Sequence, residues 1–482
     1  MLFNSPQFAV FFLIVTFLFF ATSGRWQRLV LLLASCIFYM TFVPRYILIL
    51  FFLIIIDYVA AILIEKRSGG GKKAALLASL FANLGVLFFF KYFNFMNSNL
   101  SGLATFLGWH YPIRNLEILL PIGLSFHTFQ SMSYTIEVYY GNFKAERNLL
   151  VYALYVLFYP QLVAGPIETP QDLIPQIHET HRFEYERVRD GLLLMLVGLL
   201  KKMVIADRLA VVVNQVYGDP AQYSGIYLII ATYFFGFQVY CDFSGYTDIA
   251  RGAAKVMGFN LLENFERPYA AESIPDFWRR WHISLLNWFK RYVFMPIVFS
   301  GKRSESRIYL GIFLVFLCSG IWHGASWMFV IWGLLHAFYS IMAEGTQRRR
   351  AEWSEKLRLE RWPRGLRLWR VFITFHLVTF SWIFFRSRKW SDCQYVLGHI
   401  FSGISFTGFT PEKMGTTWSG FITAVAVVVA MEALSFLHSR RPLGEIVRTQ
   451  PTWMRWGLYY AAIFTLFYLG NVKPQKFIYF QF

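Results

Sequence analysis

Long apolar runs alternate with short polar loops along almost the whole chain. A helix needs about 20 predominantly apolar residues to cross the hydrocarbon core of a bilayer. The first run, residues 8–22, has no basic segment before it and no convincing cleavage site after it, so we interpret it as a retained span rather than a signal peptide. Further apolar runs follow at residues 29–43, 46–64, 74–92, 119–140, 148–165, 188–217, 224–258, 308–342, 367–385, 418–438 and 455–471.

This pattern predicts an all-α integral membrane fold. Several runs are too long for one crossing, so we expect roughly eleven transmembrane spans together with re-entrant or interfacial helices that do not cross. Basic residues follow the first, third and fifth spans, in loops that contain Arg25, Lys66 and Lys144. Because positive loops tend to face the cytoplasm, we expect the N-terminus outside and the basic stretch 347–370 inside.

Composition supports this fold class and excludes others. The chain is 56% hydrophobic and only 15% charged, whereas a soluble domain carries roughly 25% charged residues. A net charge of +18 would suggest nucleic-acid binding in a soluble protein. Here the basic residues lie in short loops between apolar runs, which favours membrane lipid as the partner and argues against nucleic acid. The four cysteines lack metal-ligand spacing, so we expect no metal site and no disulfide framework.

Ionisable side chains inside apolar runs are costly, and each is therefore a candidate functional residue. His323 stands out because Gly320, Trp322 and Gly324 flank it, and small residues let another helix or a thin substrate approach the backbone. A neutral imidazole there can accept a proton from an attacking hydroxyl. From the residues alone, catalysis and a structural role stay equally open. A structural bond to a neighbouring helix is the favoured interpretation for three other histidines within apolar runs, His127, His336 and His376.

A second candidate segment, residues 275–297, repeats tryptophan at helical spacing and places arginines and His282 between the rings. The simplest interpretation is an amphipathic helix at the membrane interface. Alternatively, arginines beside tryptophans can hold the phosphates of an acyl donor such as a coenzyme A thioester. The substrate-binding candidates in this segment are Trp278, Arg279, Arg280, Trp281 and Asn287.

A third segment, residues 238–260, places acidic groups inside or at the end of an apolar helix. Asp248 and Arg251 are three positions apart, so they can pair on one helical face. Asp242 has no partner nearby in the sequence, and it must find one across the bundle or line a water-filled cavity. A structural ion network and a substrate site both stay open here. The binding candidates are Asp242 and Ser244.

Six sequence blocks, in order, resemble the membrane-bound O-acyltransferase (MBOAT) family, and within it the bacterial branch of alginate O-acetyltransferase integral-membrane subunits. The resemblance covers most of the chain, and the opening residues MLFNSPQFAVFFLIV also look like the start of that branch. The blocks are PIGLSFHTFQSMSYTIEVYYG (121–141), PQLVAGPIETP (160–170), GLLKKMVIADRLA (198–210), DFSGYTDIARGAAKVMGFNLLENFERPY (242–269), FWRRWHISLLNWFKRY (277–292) and SGIWHGASWMFVIWGLLHA (319–337).

The resemblance implies an MBOAT-type ring of tilted helices around a thin membrane centre, with a cytoplasmic funnel that leads to His323. We expect one membrane domain over residues 1–482, with N-terminal helices to residue 140, a catalytic core over 141–345 and C-terminal helices over 346–482. His323 would act as the general base or carry the acyl group transiently, and His282 would orient or assist it. Trp322, beside His323, joins the substrate-binding candidates.

The implied reaction moves an acyl group, acetyl in this branch, from a cytoplasmic thioester to an extracytoplasmic hydroxyl of an exported polysaccharide such as alginate. No bound cofactor is expected, and the donor would be acetyl-CoA or another acyl thioester. The resemblance also implies location in the cell inner membrane. The expected partners are membrane lipid, the thioester donor, periplasmic SGNH-type acetyltransferase proteins and the polysaccharide export machinery.

The chain departs from the pattern of the branch at two places. It has Lys290, Arg291 and Tyr292 where the branch has Arg-Asp-Tyr, and it lacks the usual Gly-Gly after residues 296–297. Both changes lie near the expected membrane surface and away from the histidines. They therefore bear on the donor contacts and on the identity of the polymer, and not on the class of reaction. Two other functions stay open: D-alanyl transfer from a carrier protein to teichoic acid, and a non-enzymatic membrane transporter or scaffold.

Overall fold

The computed structural model describes residues 1–163, 165–301, 304–438, 443–470 and 477–478, and its regular structure is helical. Within these ranges the only strand-like pairing is an isolated bridge between Phe265 and Trp281. The predicted all-α class is therefore confirmed. In chain order the helices are α1 (Pro6–Ala21), α2 (Arg25–Met40), α3 (Ile47–Lys66), α4 (Gly69–Leu87), α5 (Phe93–Phe106), α6 (Leu124–Tyr140), α7 (Leu149–Leu157), α8 (Pro170–His178), α9 (Tyr185–Leu199), α10 (Asp207–Gly218), α11 (Ile226–Met257), α12 (Ile274–Arg280), α13 (Ile283–Phe289), α14 (Met295–Phe299), α15 (Glu305–His323), α16 (Trp327–Gly345), α17 (Gln347–Lys356), α18 (Pro363–Arg386), α19 (Trp390–His399), α20 (Trp418–His438), α21 (Leu443–Arg448) and α22 (Thr452–Leu469).

By length and composition, seven helical segments of the described chain can cross a membrane. They support a multi-pass membrane protein, because each is at least 19 residues long and strongly apolar. The larger number of spans expected from the sequence stays a prediction. The seven segments are Pro44–Lys66, Gly69–Phe106, Ile226–Met257, Glu305–His323, Trp327–Gly345, Pro363–Arg386 and Trp418–Phe436.

Serine residues mark the beginnings of three of the apolar helices. The side chains of Ser5, Ser304 and Ser326 each accept a hydrogen bond from a backbone N–H two or three residues further along. Such a bond satisfies one of the backbone donors that a helix leaves open in its first turn. These caps fix where α1, α15 and α16 begin.

The chain divides into two compact units. The first contains residues 1–195 and 247–262, and the second contains residues 196–246 and 263–482. Helices α9 and α11 each contribute residues to both units. The division at residues 140 and 345 that we expected from the sequence stays a prediction.

In the first unit, polar side chains satisfy one another inside apolar helices. Asp57 of α3 is buried, and it accepts hydrogen bonds from Ser79 Oγ at 2.7 Å and from Asn83 Nδ2 at 2.9 Å, both on α4. Such bonds offset the cost of a carboxyl group inside a spanning helix. Asp248 and Arg251 lie 3.9 Å apart, which confirms the pairing predicted from their spacing.

In the second unit, α15 and α16 pack together with their backbones in close approach. A Cβ atom at Gly320 would overlap the carbonyl oxygen of Phe329, and one at Gly333 would overlap the carbonyl oxygen of Phe316. Only glycine allows this separation between the two helices. The approach fixes the C-terminal end of α15, where His323 lies.

Candidate active site

His323 is the last residue of α15, and its side chain is buried among aromatic rings. Its imidazole lies 5.0 Å from the ring of Trp322, 5.0 Å from that of Trp332 and 5.2 Å from that of Phe385, between ring centroids. The next residue, Gly324, is glycine for steric reasons, because a Cβ atom there would overlap the ring of Phe329. The structure therefore explains why a small residue follows His323: the Phe329 ring occupies the space that a larger side chain would need.

His282 lies at the turn between α12 and α13 in a left-handed backbone conformation, with φ 46° and ψ 53°. A non-glycine residue in this region is strained by about 1–3 kcal/mol, and the surrounding structure must hold it there. Asn264 does so, because its carbonyl oxygen accepts from the amide of Ile283 at 3.1 Å and its Oδ1 accepts from the amide of Ser284 at 3.1 Å. Sequence reasoning missed Asn264, which gave no signal of its own.

The His282 ring is fully buried against aromatic side chains. Phe243 of α11 meets it edge-on at 4.6 Å, and Trp322 lies 5.9 Å away. Burial lowers the pKa of His282 to about 3, so the ring is neutral at physiological pH. A neutral imidazole can both donate and accept a hydrogen bond.

Trp322 connects the two histidines, because its ring is in contact distance of both. His282 and His323 are 41 positions apart in the sequence (323 − 282), and the fold brings both to this one indole. Together with Trp332 and Phe385, the indole surrounds His323 with apolar surface. Such surroundings keep bulk water away from the imidazole.

His336 of α16 forms hydrogen bonds through both ring nitrogens. Trp278 donates its indole N–H to Nδ1 at 3.2 Å, and Nε2 lies 2.9 Å from the hydroxyl oxygen of Ser381. Ser381 gives its own proton to the carbonyl oxygen of Val378, so it accepts from His336. Both bonds require the neutral tautomer with hydrogen on Nε2. The predicted bond to a neighbouring helix is therefore confirmed for His336, and its partner Trp278 is one of the substrate-binding candidates. The same prediction is wrong for His376, whose Nδ1 donates to the carbonyl oxygen of Phe372 in its own helix.

A small apolar pocket opens beside His282, and it has room for about one water molecule. Among the described residues that line it, the polar side chains are the Trp278 indole, His282 and Ser319. The lining residues are Trp278, His282, Leu285, Leu286, Phe289, Val315, Phe316 and Ser319.

Asp242 of α11 has found a partner across the bundle. Lys202 Nζ lies 2.7 Å from Asp242 Oδ1 and 2.8 Å from Asp207 Oδ1, and all three side chains are buried. Of the two alternatives left open for Asp242, the structure shows the ion pair. Lys202 lies in the π-helical stretch Leu200–Ala206, a type of irregularity that is frequent at functional sites.

Arg279 and Arg280 both pair with Asp276 of the same helix, at 3.1 Å each. Burial by itself would raise the pKa of Asp276, but the hydrogen bond and the charge of Arg280, with the charge of Arg279, hold it below its usual value. Arg279 is mostly exposed, so its cation is accessible to a ligand.

The remaining candidates lie on or beside α11, α12 and α13. Trp281 is buried in an aromatic cluster with Phe277 and Trp382, at 5.4 and 5.2 Å between ring centroids. Asn287 is exposed on α13, and Ser244 is buried in α11 without a hydrogen bond to another described residue. Among the candidates, Trp322 contacts both histidines of the pair, and Trp278 lines the pocket beside His282.

Comparison with known proteins adds an independent finding. The model of the MBOAT, membrane-bound O-acyltransferase family, matches residues 143–386, a range that contains both histidines. The chain is 35% identical over 394 residues to the probable alginate O-acetylase AlgI of Pseudomonas aeruginosa, covering 81% of this chain and 72% of that protein.

Two other relatives carry different names. The peptidoglycan O-acetyltransferase of Helicobacter pylori is 33% identical over 82% of this chain and 79% of its own length. The teichoic acid D-alanyltransferase of Bacillus subtilis is 31% identical over 58% of this chain and 71% of its own length.

Proposed function

We propose a specific acyl-transfer reaction for this chain from the premise that it belongs to the membrane-bound O-acyltransferase family. It is an acyltransferase and a multi-pass membrane protein. In our proposal it moves an acetyl group from a cytoplasmic acyl thioester, such as acetyl-CoA, to a hydroxyl group of an exported polysaccharide. The observation that carries the proposal is the contact of two buried histidines, His282 and His323, with the single indole of Trp322.

In the proposed reaction, His323 accepts the proton of the acceptor hydroxyl while the hydroxyl oxygen attacks the thioester carbonyl. The new C–O bond forms, the C–S bond breaks, and His323 returns the proton to the leaving thiolate. His282 would assist or orient the reacting groups as a neutral imidazole, in keeping with its low pKa. The rings of Trp322, Trp332 and Phe385 would keep competing water away from the thioester.

The comparisons favour acetyl over D-alanyl as the acyl group. The relatives named for O-acetylation of alginate and peptidoglycan cover 81% and 82% of this chain, whereas the D-alanyltransferase covers 58%.

The proposal extends to location and partners. We place the protein in the cell inner membrane, in contact with membrane lipid, with the thioester donor on the cytoplasmic side. The exposed guanidinium of Arg279 and its neighbour Arg280 would contact the phosphates of the donor. Periplasmic SGNH-type acetyltransferase proteins and the polysaccharide export machinery would complete acetylation of the polymer.

The test measures ester-linked acetate and ester-linked D-alanine on the secreted and cell-envelope polysaccharides of the native host. We expect His323→Ala to lower acetate to the level of a deletion strain, and His282→Ala to lower it strongly. A matched control is His376→Ala, since His376 Nδ1 donates its hydrogen bond to the carbonyl oxygen of Phe372 within the same helix. Membrane abundance of every variant is checked by immunoblot.

Three results would contradict the proposal. Acetate that is unchanged in the deletion strain would reject the substrate, and loss of D-alanine in place of acetate would support the teichoic acid alternative. Acetate that persists in His323→Ala at normal membrane abundance would reject the catalytic role of His323 and support the alternative that the protein is a non-enzymatic scaffold.

A further inference from the structure

Two residues late in the chain, Phe477 and Ile478, are buried beside the candidate active site. The backbone N–H of Ile478 donates a hydrogen bond of 2.8 Å to Asp242 Oδ2. Asp242 lies on α11, 236 positions earlier in the chain, so this is a long-range tertiary bond. A charge-assisted bond to a buried carboxylate is about twice as strong as one between neutral groups.

The other oxygen of Asp242 is held as well. Lys202 Nζ lies 2.7 Å from Asp242 Oδ1, so the carboxylate is fixed from both sides and cannot turn without breaking a bond. Arg208, six residues after Lys202, anchors the end of α22, because its Nη2 donates to the carbonyl oxygen of Leu469 at 2.7 Å. Residues 202–208 therefore hold both the end of α22 and, through Asp242, the amide of Ile478.

The Asp242 bond sets the position of the neighbouring ring, Phe477. Its centroid lies 4.3 Å from the ring of Tyr246 and 5.9 Å from the ring of Phe243, both on α11. Phe243 in turn meets His282 edge-on at 4.6 Å. Aromatic contact is thus continuous from Phe477 through Phe243 to the imidazole of His282.

We propose that Phe477 and Ile478 are positioning residues of the acyl-transfer site: the Asp242 bond holds Ile478, Phe477 supports Phe243, and Phe243 keeps the His282 ring in its orientation. This proposal rests on the proposed function only for its activity readout. The backbone of His282 is fixed by Asn264, whereas its ring depends on the aromatic side chains that pack against it. Loss of the Phe477 ring leaves space into which Phe243 can move, and this frees the imidazole.

The experiment uses the purified full-length protein in lipid nanodiscs and diethyl pyrocarbonate, which modifies accessible neutral imidazoles. Mass spectrometry measures modification of His282 and, as an internal reference, of His336, which is buried and bonded through both nitrogens. We expect Phe477→Ala to increase modification of His282 several-fold and to leave that of His336 unchanged. Phe477→Leu, which retains most of the apolar volume, should stay close to the wild type.

The matched control is Phe467→Ala, because Phe467 is an exposed phenylalanine of α22. In parallel, ester-linked acetate in the host should fall for Phe477→Ala and not for Phe467→Ala. Unchanged modification of His282 in Phe477→Ala would overturn the positioning role. An equal increase in the modification of His282 and His336 would also overturn it, because it would indicate that the whole fold of the variant had loosened. If even the wild type transferred no acetate, the proposed function would fail, while the modification ratio would still decide the positioning role.

Discussion

The hydrogen bonds of His336 allow a quantitative prediction about the pocket beside His282. The change His336→Phe preserves a planar ring but removes both nitrogens, so the indole N–H of Trp278 loses its acceptor. Trp278 lines the pocket, and it is 4% exposed, so water does not replace the lost partner. A hydrogen bond between membrane helices contributes about 0.6 kcal/mol on average and about 1.7 kcal/mol at most.

That free energy sets the expected loss of activity. If the transition state depends on the orientation of Trp278, the same amount is added to the barrier, and about 1.4 kcal/mol corresponds to a tenfold change in rate. We therefore expect the acetyl-transfer rate of His336→Phe to fall about 3- to 20-fold. Removal of a general base such as His323 would instead lower the rate about 10²- to 10⁴-fold. The assay is release of thiol from acetyl-CoA by the protein in nanodiscs, with the host polysaccharide as acceptor.

A pair of polar variants separates the two bonds of His336. The amide oxygen of His336→Asn occupies the place of Nδ1 and preserves the acceptor for Trp278, whereas His336→Gln reaches Ser381 and preserves that bond instead. We expect the Asn variant to retain more activity than the Gln variant. The control is His376→Phe, because the bond of His376 to Phe372 lies within one helix. Equal losses in the Asn and Gln variants, or wild-type activity in His336→Phe, would refute the reasoning.

Three further predictions concern stability. Gly320→Ala should lower the melting temperature measured in detergent, because its Cβ would overlap the Phe329 carbonyl; Gly398→Ala, with open space around it, is the control. The folded-state pKa of His282, about 3, lies below the ordinary value of about 6.5, so the unfolded chain takes up the proton first. Stability should therefore fall as the pH decreases below about 6.5, by up to about 1.4 kcal/mol per pH unit, and His282→Gln should reduce this slope; an identical slope in both proteins would contradict it. Lys202→Met leaves Asp207 and Asp242 buried without their cation, and it should lower the free energy of unfolding by about 3–5 kcal/mol in denaturant titrations. An unchanged denaturation midpoint would contradict that account.

The hydropathy pattern predicted the fold class, because helices in lipid must satisfy their own backbone hydrogen bonds. The same physics made His323 a candidate, since an ionisable residue inside an apolar run is costly, and its catalytic role stays a prediction. The spacing of Asp248 and Arg251 likewise predicted their pairing, because contacts three positions apart depend on the helix alone.

Contacts between distant segments could not be predicted in this way. The bond from Trp278 to His336 joins residues 58 positions apart, and the bond from Ser284 to Asn264 joins residues 20 positions apart. Neither pair follows from helical periodicity, because the partners lie on different elements. Lys202 was equally hidden, since it lies 40 positions before Asp242 (242 − 202) and only the fold brings its ammonium group to that carboxylate.

Two different backbone features place the two histidines. Glycines 320 and 333 fix the end of α15 and thereby His323, while the left-handed turn held by Asn264 fixes His282. Neither feature depends on the charge of an imidazole, so the geometry is set before any substrate binds. The rings are then packed by aromatic side chains, which add no competing proton acceptor. In the proposed reaction, a base in such surroundings acts only on a hydroxyl delivered to it, and this is the condition under which transfer to a sugar would prevail over hydrolysis.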